Sequence, residues 1–103
     1  MMLHKEAVEY FFSVPFSHPC DRDGIEKGKY DAEGYAFFFI YDRLRTYYGV
    51  HAGFFPMKDG YQFTGYLLSE ENEVPTPILT AEGETRFAGI VRLLQKCIER
   101  TAK

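Results

Sequence analysis

From Phe87 onward the apolar residues recur at helical spacing. Phe87, Ile90, Val91, Leu94, Cys97 and Ile98 take one side, and Arg92, Lys96, Glu99 and Arg100 take the other. The pattern predicts an amphipathic helix over about 81–101. Thr80 is placed to cap its start, Glu82 and Glu84 fall in the electropositive first turn, and Lys96, Arg100 and Lys103 fall toward the electronegative end.

Upstream the period changes to two. Tyr61, Phe63, Gly65 and Leu67 alternate with Gln62, Thr64, Tyr66 and Leu68, and Val50 to Phe55 is a second β-favouring run, so a hairpin with arms of about 50–56 and 61–68 is predicted. Asp59-Gly60 reads as its turn, with Gly60 supplying a positive φ. A third strand is expected at 76–80, where Pro75 and Pro77 would confine it to a sheet edge.

Residues 32–48 admit two readings. As a helix, Phe37, Ile40, Tyr41, Leu44 and Tyr48 form a stripe, Asp31 caps the start and Gly49 follows the end. As a strand, 35–41 is a strongly β-favouring aromatic run. The helix is preferred because Asp42-Arg43-Leu44-Arg45 would otherwise have to reverse the chain without Gly, Pro or Asn. Ala32-Glu33-Gly34 also recurs as Ala81-Glu82-Gly83 at the expected start of the last helix. Residues 3–13 are expected to form a helix presenting Val8, Phe11 and Phe12, with an edge strand over 7–14 as its alternative, and Pro15 to Tyr30 reads as a long loop.

The sum is an α+β fold, a single domain over 1–103, in which a small antiparallel sheet packs against two or three helices at about 3–13, 32–48 and 81–101. If 35–41 were a strand, the sheet would be larger and one long C-terminal helix would cover it. A chain of 103 residues buries roughly two-thirds of its unfolded surface and has room for one core.

Composition sharpens where function can sit. Of the 10 Phe and 8 Tyr, twelve lie between Tyr35 and Tyr66. Aromatic rings on that scale must be either packed or used. If 32–48 is a helix, successive side chains turn by about 100° and Phe37, Phe38 and Phe39 cannot all face the core. Phe38 and Phe39 are therefore the expected interface residues, since leftover apolar surface on a folded domain marks a contact site.

The charge balance narrows the partners. A net charge of -3 lacks the basic footprint of a nucleic-acid binder. The longest stretch without charge, Thr46 to Met57, is too short to span a bilayer, and Glu6 and Glu9 interrupt any apolar signal region, so a cytoplasmic chain without a membrane partner is expected. Cys20 and Cys97 belong to no paired-cysteine motif and read as free thiols.

Candidate chemistry is sparse. His18, Cys20, Asp21 and Asp23 gather within one stretch, but zinc sites need a second ligand pair, and Asp21-Arg22-Asp23-Gly24 lacks the glycine that a calcium loop requires at its sixth position. A plain turn fits these residues better, and neither metal nor cofactor is expected. His51 beside Tyr47, Tyr48 or Tyr61 is a possible general base, yet no nucleophile motif accompanies it, so enzyme chemistry is the weaker reading. Arg92, Lys96 and Arg100 form a basic stripe that the helix dipole already accounts for. The preferred expectation is a small non-enzymatic interaction or regulatory module that forms a homo-oligomer, or meets another protein, through aromatic surface. The alternative is a small-molecule binder whose pocket is lined by Tyr41, Tyr48, His51, Phe55, Tyr61 and Phe63, for an apolar or cationic ligand.

Overall fold

The computed structural model describes residues 1–13, 22–28, 30–69 and 72–101. Their order is α1 (His4–Ser13), α2 (Arg22–Glu26), α3 (Tyr30–Tyr48), β1 (Val50–Met57), β2 (Gly60–Ser69), β3 (Asn72–Gly83) and α4 (Arg86–Thr101). The strands form one antiparallel sheet in the order β1-β2-β3, so the fold is α+β as the periodicities imply.

The 35–41 stretch is part of one helix. Winding it as α3 buries Phe37, Ile40 and Leu44 together, whereas a strand would spread the same run over two faces. The helix begins at Tyr30, so Asp31 lies inside it and is not its cap. Gly49 follows its end with φ 65°, the left-handed conformation that glycine adopts freely.

Alternation sorts the sheet. Val50, Ala52, Phe63, Gly65 and Ala81 are buried beneath the helices, while His51, Phe55, Gln62, Thr64 and Tyr66 belong to the opposite face. The hairpin is tighter than expected. Met57 pairs with Gly60, so Lys58 and Asp59 alone make the turn and Gly60 is already in β2. Gly60 has no positive φ; a Cβ there would come within 2.3 Å of the Gly83 carbonyl oxygen, so close strand approach is what requires glycine.

The third strand is longer than 76–80. It runs to Gly83 because Gln62, Phe63 and Tyr61 of β2 pair with Glu82, Ala81 and Gly83. α4 therefore starts at Arg86 and not near 81, and the Ala-Glu-Gly resemblance joins a helix to a strand. Thr85, not Thr80, is its cap: the Thr85 hydroxyl accepts the Ala88 N–H at 3.1 Å and the Thr85 carbonyl accepts the Gly89 N–H at 2.9 Å. Glu84 serves a different helix, its carboxylate accepting the His4 N–H at 2.9 Å at the start of α1.

α4 crosses the sheet at three small residues. Leu93 packs on Gly65, the Phe63 ring lies against Gly89, and Gly83 lies under the Gly89 nitrogen. A Cβ at Gly83 would come within 2.0 Å of that nitrogen, so the helix backbone rests directly on the strand. α1 packs on α4, and α3 sits beside β1.

Part of the stretch read as a loop is helical. α2 buries Ile25 and is followed by a turn at Gly28, whose φ is 68° and whose N–H donates to the Ile25 carbonyl at 3.0 Å. Its ion pairs, Arg22 with Glu26 at 2.8 Å and Lys27 with Asp23 at 3.0 Å, are exposed and contribute at most about 0.5 kcal/mol each. His4 ties three helices together. Its Nδ1 lies 2.8 Å from the Thr85 hydroxyl and its Nε2 lies 2.7 Å from the Ile25 carbonyl. The carbonyl can only accept, so Nε2 carries a proton and donates it.

Candidate interaction surface

The three consecutive phenylalanines of α3 have three different fates. Phe37 turns inward and is 8% exposed, meeting Phe63 at 6.0 Å between ring centroids and Phe54 at 5.6 Å. Phe39 turns sideways, half-buried with its ring 6.3 Å from Phe11 of α1 and the Arg43 guanidinium 5.2 Å above it. Phe38 turns outward and is 64% exposed. The leftover aromatic surface expected at Phe38 and Phe39 therefore falls mainly on Phe38, because α1 occupies the other direction.

Phe38 does not stand alone. Its ring meets that of Phe37 edge-on at 5.6 Å, and Phe37 in turn meets Phe54, which is 42% exposed on β1. Phe54 stacks on Phe63 at 5.0 Å and 22°, so a core ring holds it from beneath. Between α3 and β1 these side chains line a groove of about 330 Å³, with Gly34, Tyr41, Ala52 and Arg86 completing it. The Arg86 guanidinium lies 5.9 Å from the Phe37 ring centroid, within cation–π range. At the other end the Tyr41 hydroxyl and His51 Nδ1 share a 3.0 Å hydrogen bond that fastens α3 to β1.

The six residues expected to line a ligand pocket do not converge. Tyr41 and His51 meet, but Phe63 is fully buried in the core. Phe55 is 51% exposed on the sheet face opposite Phe63, because Phe54 and not Phe55 pairs with Phe63. Tyr61 contacts Phe54 at 6.1 Å, and Tyr48 lines a separate crevice with Val50, Leu67, Ile78 and Cys97. Gly34, Phe54 and Arg86 were not legible as groove residues. The one available signal was a glycine placed inside a helical run, where it costs about 1 kcal/mol relative to alanine.

The remaining titratable groups have ordinary explanations. Cys97 is 2% exposed on the apolar side of α4, and burial raises its thiol pKa from 9.0 to about 11, with Arg100 opposing weakly. The Tyr10 hydroxyl is likewise raised, first by burial and then by Glu99. Lys96 of the basic stripe donates to the Thr80 carbonyl at 2.6 Å. His18, Cys20 and Asp21 lie outside the described residues, as does Lys103, and Asp23 is paired with Lys27. Among the described residues no three His, Cys, Asp or Glu side chains gather to hold a metal, and no helix is long and apolar enough to cross a membrane.

The fold and surface thus define a small α+β domain with helices on one sheet face and an aromatic groove at one sheet edge. Compared with known proteins, the chain matches no family model, no curated protein and no solved structure.

Proposed function

We propose that this chain is a non-enzymatic interaction module that self-associates through the aromatic surface shared by α3 and β1. The observation that carries the reading is Phe38: it is 64% exposed, yet it lies in ring contact with a row of aromatics leading to the core. A large exposed ring continuous with a groove gives a partner both a knob to grip and a surface to cover. Tyr35, 53% exposed one helical turn before Phe38, extends the same face.

Sedimentation velocity over a wide concentration range, with Phe38→Glu beside the wild type, tests this reading. A concentration-dependent dimer that the substitution abolishes is expected. A wild-type chain that stays monomeric to near-millimolar concentration refutes it.

A small-molecule site in the same groove is the second reading, supported by a volume at the low end of ligand pockets. Its described lining holds Arg86 and no carboxylate, which suits an apolar or anionic ligand better than a cationic one. A thermal-shift panel of aromatic acids and aromatic amines separates these, since a ligand at a hundred times its Kd adds about 2.7 kcal/mol.

A further inference from the structure

A larger cleft lies at the opposite edge of the sheet from the aromatic groove. It measures about 510 Å³ and opens between β3, the start of α1 and the middle of α4, and every residue that lines it is among the described residues. Backbone bonds fix its walls. Met2 gives its N–H to the Glu82 carbonyl at 3.0 Å and accepts the Glu84 N–H at 2.9 Å, which sets the start of α1 against the end of β3. Glu6 then stands on one wall, Glu82 on a second, and Arg92 and Lys96 on the third.

These four charged groups share one cleft and do not pair. No nitrogen of Arg92 or Lys96 comes within 4.0 Å of a carboxylate oxygen of Glu6 or Glu82. Both cations are turned to neutral acceptors instead: the Lys96 ammonium donates to the Thr80 carbonyl at 2.6 Å, and the Arg92 guanidinium donates to the Gln95 side-chain oxygen. Each bond uses a single N–H, so both groups keep donors for a ligand. Arg92, Gln95 and Lys96 are half-buried, so packing holds them in the wall of the cleft. Unlike charges on facing elements attract, and here a space the size of a small molecule separates them.

The charge pattern selects the occupant. A plain anion on Arg92 and Lys96 would meet the carboxylates of Glu6 and Glu82 as like charges, and a plain cation would meet the two basic groups. A molecule carrying both signs satisfies every wall. Its carboxylate can take paired N–H groups from a guanidinium, and its ammonium can donate to carboxylates. A volume of about 510 Å³ lies within the range of small-molecule sites.

We propose that this cleft binds a small zwitterion, a free amino acid or a short peptide with both ends unblocked, with its carboxylate on Arg92 and Lys96 and its ammonium on Glu6 and Glu82. The site is independent of the aromatic groove and of self-association.

Nuclear magnetic resonance titration of the full chain at low ionic strength, where exposed charges are least screened, tests the assignment. The probes are alanine, dialanine and trialanine, with N-acetylalanine and alaninamide as forms lacking one charge. At least one of the three zwitterions is expected to shift the amides of residues 80–82 and 92–96 and to leave those of 34–41 in place, and each blocked form is expected to bind at least about tenfold more weakly. Tighter binding of alanine assigns the site to free amino acids, and tighter binding of the peptides assigns it to peptide ends. Arg92→Gln and Glu82→Gln, each keeping a polar side chain, are expected to weaken the zwitterion about tenfold or more with unchanged circular dichroism. Blocked forms that bind as well as the zwitterions overturn the proposal, as do shifts confined to residues 34–41, undiminished binding in both variants, or no shift with any of the three zwitterions at about 10 mM.

Discussion

Gly89→Ala places one methyl group where α4 crosses the sheet against the Phe63 ring. The added Cβ would lie 2.4 Å from both Cδ1 and Cε1 of Phe63, against the ~3.5–4.0 Å of an ordinary carbon contact, so helix or ring must move by about 1 Å or more. The ring has little freedom to yield. Phe63 is fully buried, Phe54 stacks on it at 5.0 Å and Phe37 meets it at 6.0 Å. Overpacking of this kind costs about 1–3 kcal/mol, and removing a helix-interior glycine returns at most about 1 kcal/mol. A net loss of roughly 1–2 kcal/mol follows, or about 4–15 °C in Tm for a domain of this size.

The chain has no tryptophan, so urea unfolding followed by far-ultraviolet circular dichroism is the suitable assay. It is run at one low protein concentration so that self-association does not contribute. Phe63→Leu supplies the second arm. Shortening the ring opens the space beneath Gly89, so the alanine should be tolerated better in that background, with a coupling energy of about 0.5–3 kcal/mol. An unchanged or higher midpoint for Gly89→Ala, or an equal penalty in both backgrounds, refutes the reasoning.

Gly34→Ala should act in the opposite direction on the monomer: no atom lies within 4 Å of the new methyl, so α3 gains about 0.5–1 kcal/mol, measured by urea unfolding in the Phe38→Glu background. His4→Ala removes a donor from the Ile25 carbonyl and a partner from Thr85, and a loss of about 2–3 kcal/mol is expected in the same assay, with earlier exchange of α2 amides as its local signature. For Cys97 the folded thiol titrates at about 11 and the unfolded one near 9.0, so the folded state holds its proton more tightly. Its contribution is complete below pH 9 and is lost as pH rises toward 11; a thiol reagent at pH 8 should label Cys97 only after denaturant is added, and rapid native-state labelling would contradict the burial.

Where the sequence spoke plainly, one period governed a long stretch. The stripe from Phe87 to Ile98 and the alternation from Tyr61 to Leu67 each have a single regular solution, and both elements formed. Boundaries failed where two periods met. Ala81-Glu82-Gly83 suits the first turn of a helix on local grounds, but β2 and Met2 both bond that segment, and those contacts are distant in sequence. The same holds for the groove. His51 and Phe55 share a parity, and so do Tyr61 and Phe63, but only the register pairing Phe54 with Phe63 shows that these sets lie on opposite faces.

By itself the sequence determined that three phenylalanines on one helix exceed what one face can bury, since rotation per residue is a local property. The tertiary structure alone decided which ring was left over. α1 claims the side that Phe39 faces, the sheet claims Phe37, and Phe38 is left exposed beside the groove between α3 and β1. Packing decides this because exposure depends on which neighbours arrive, and those neighbours are recruited from the far ends of the chain.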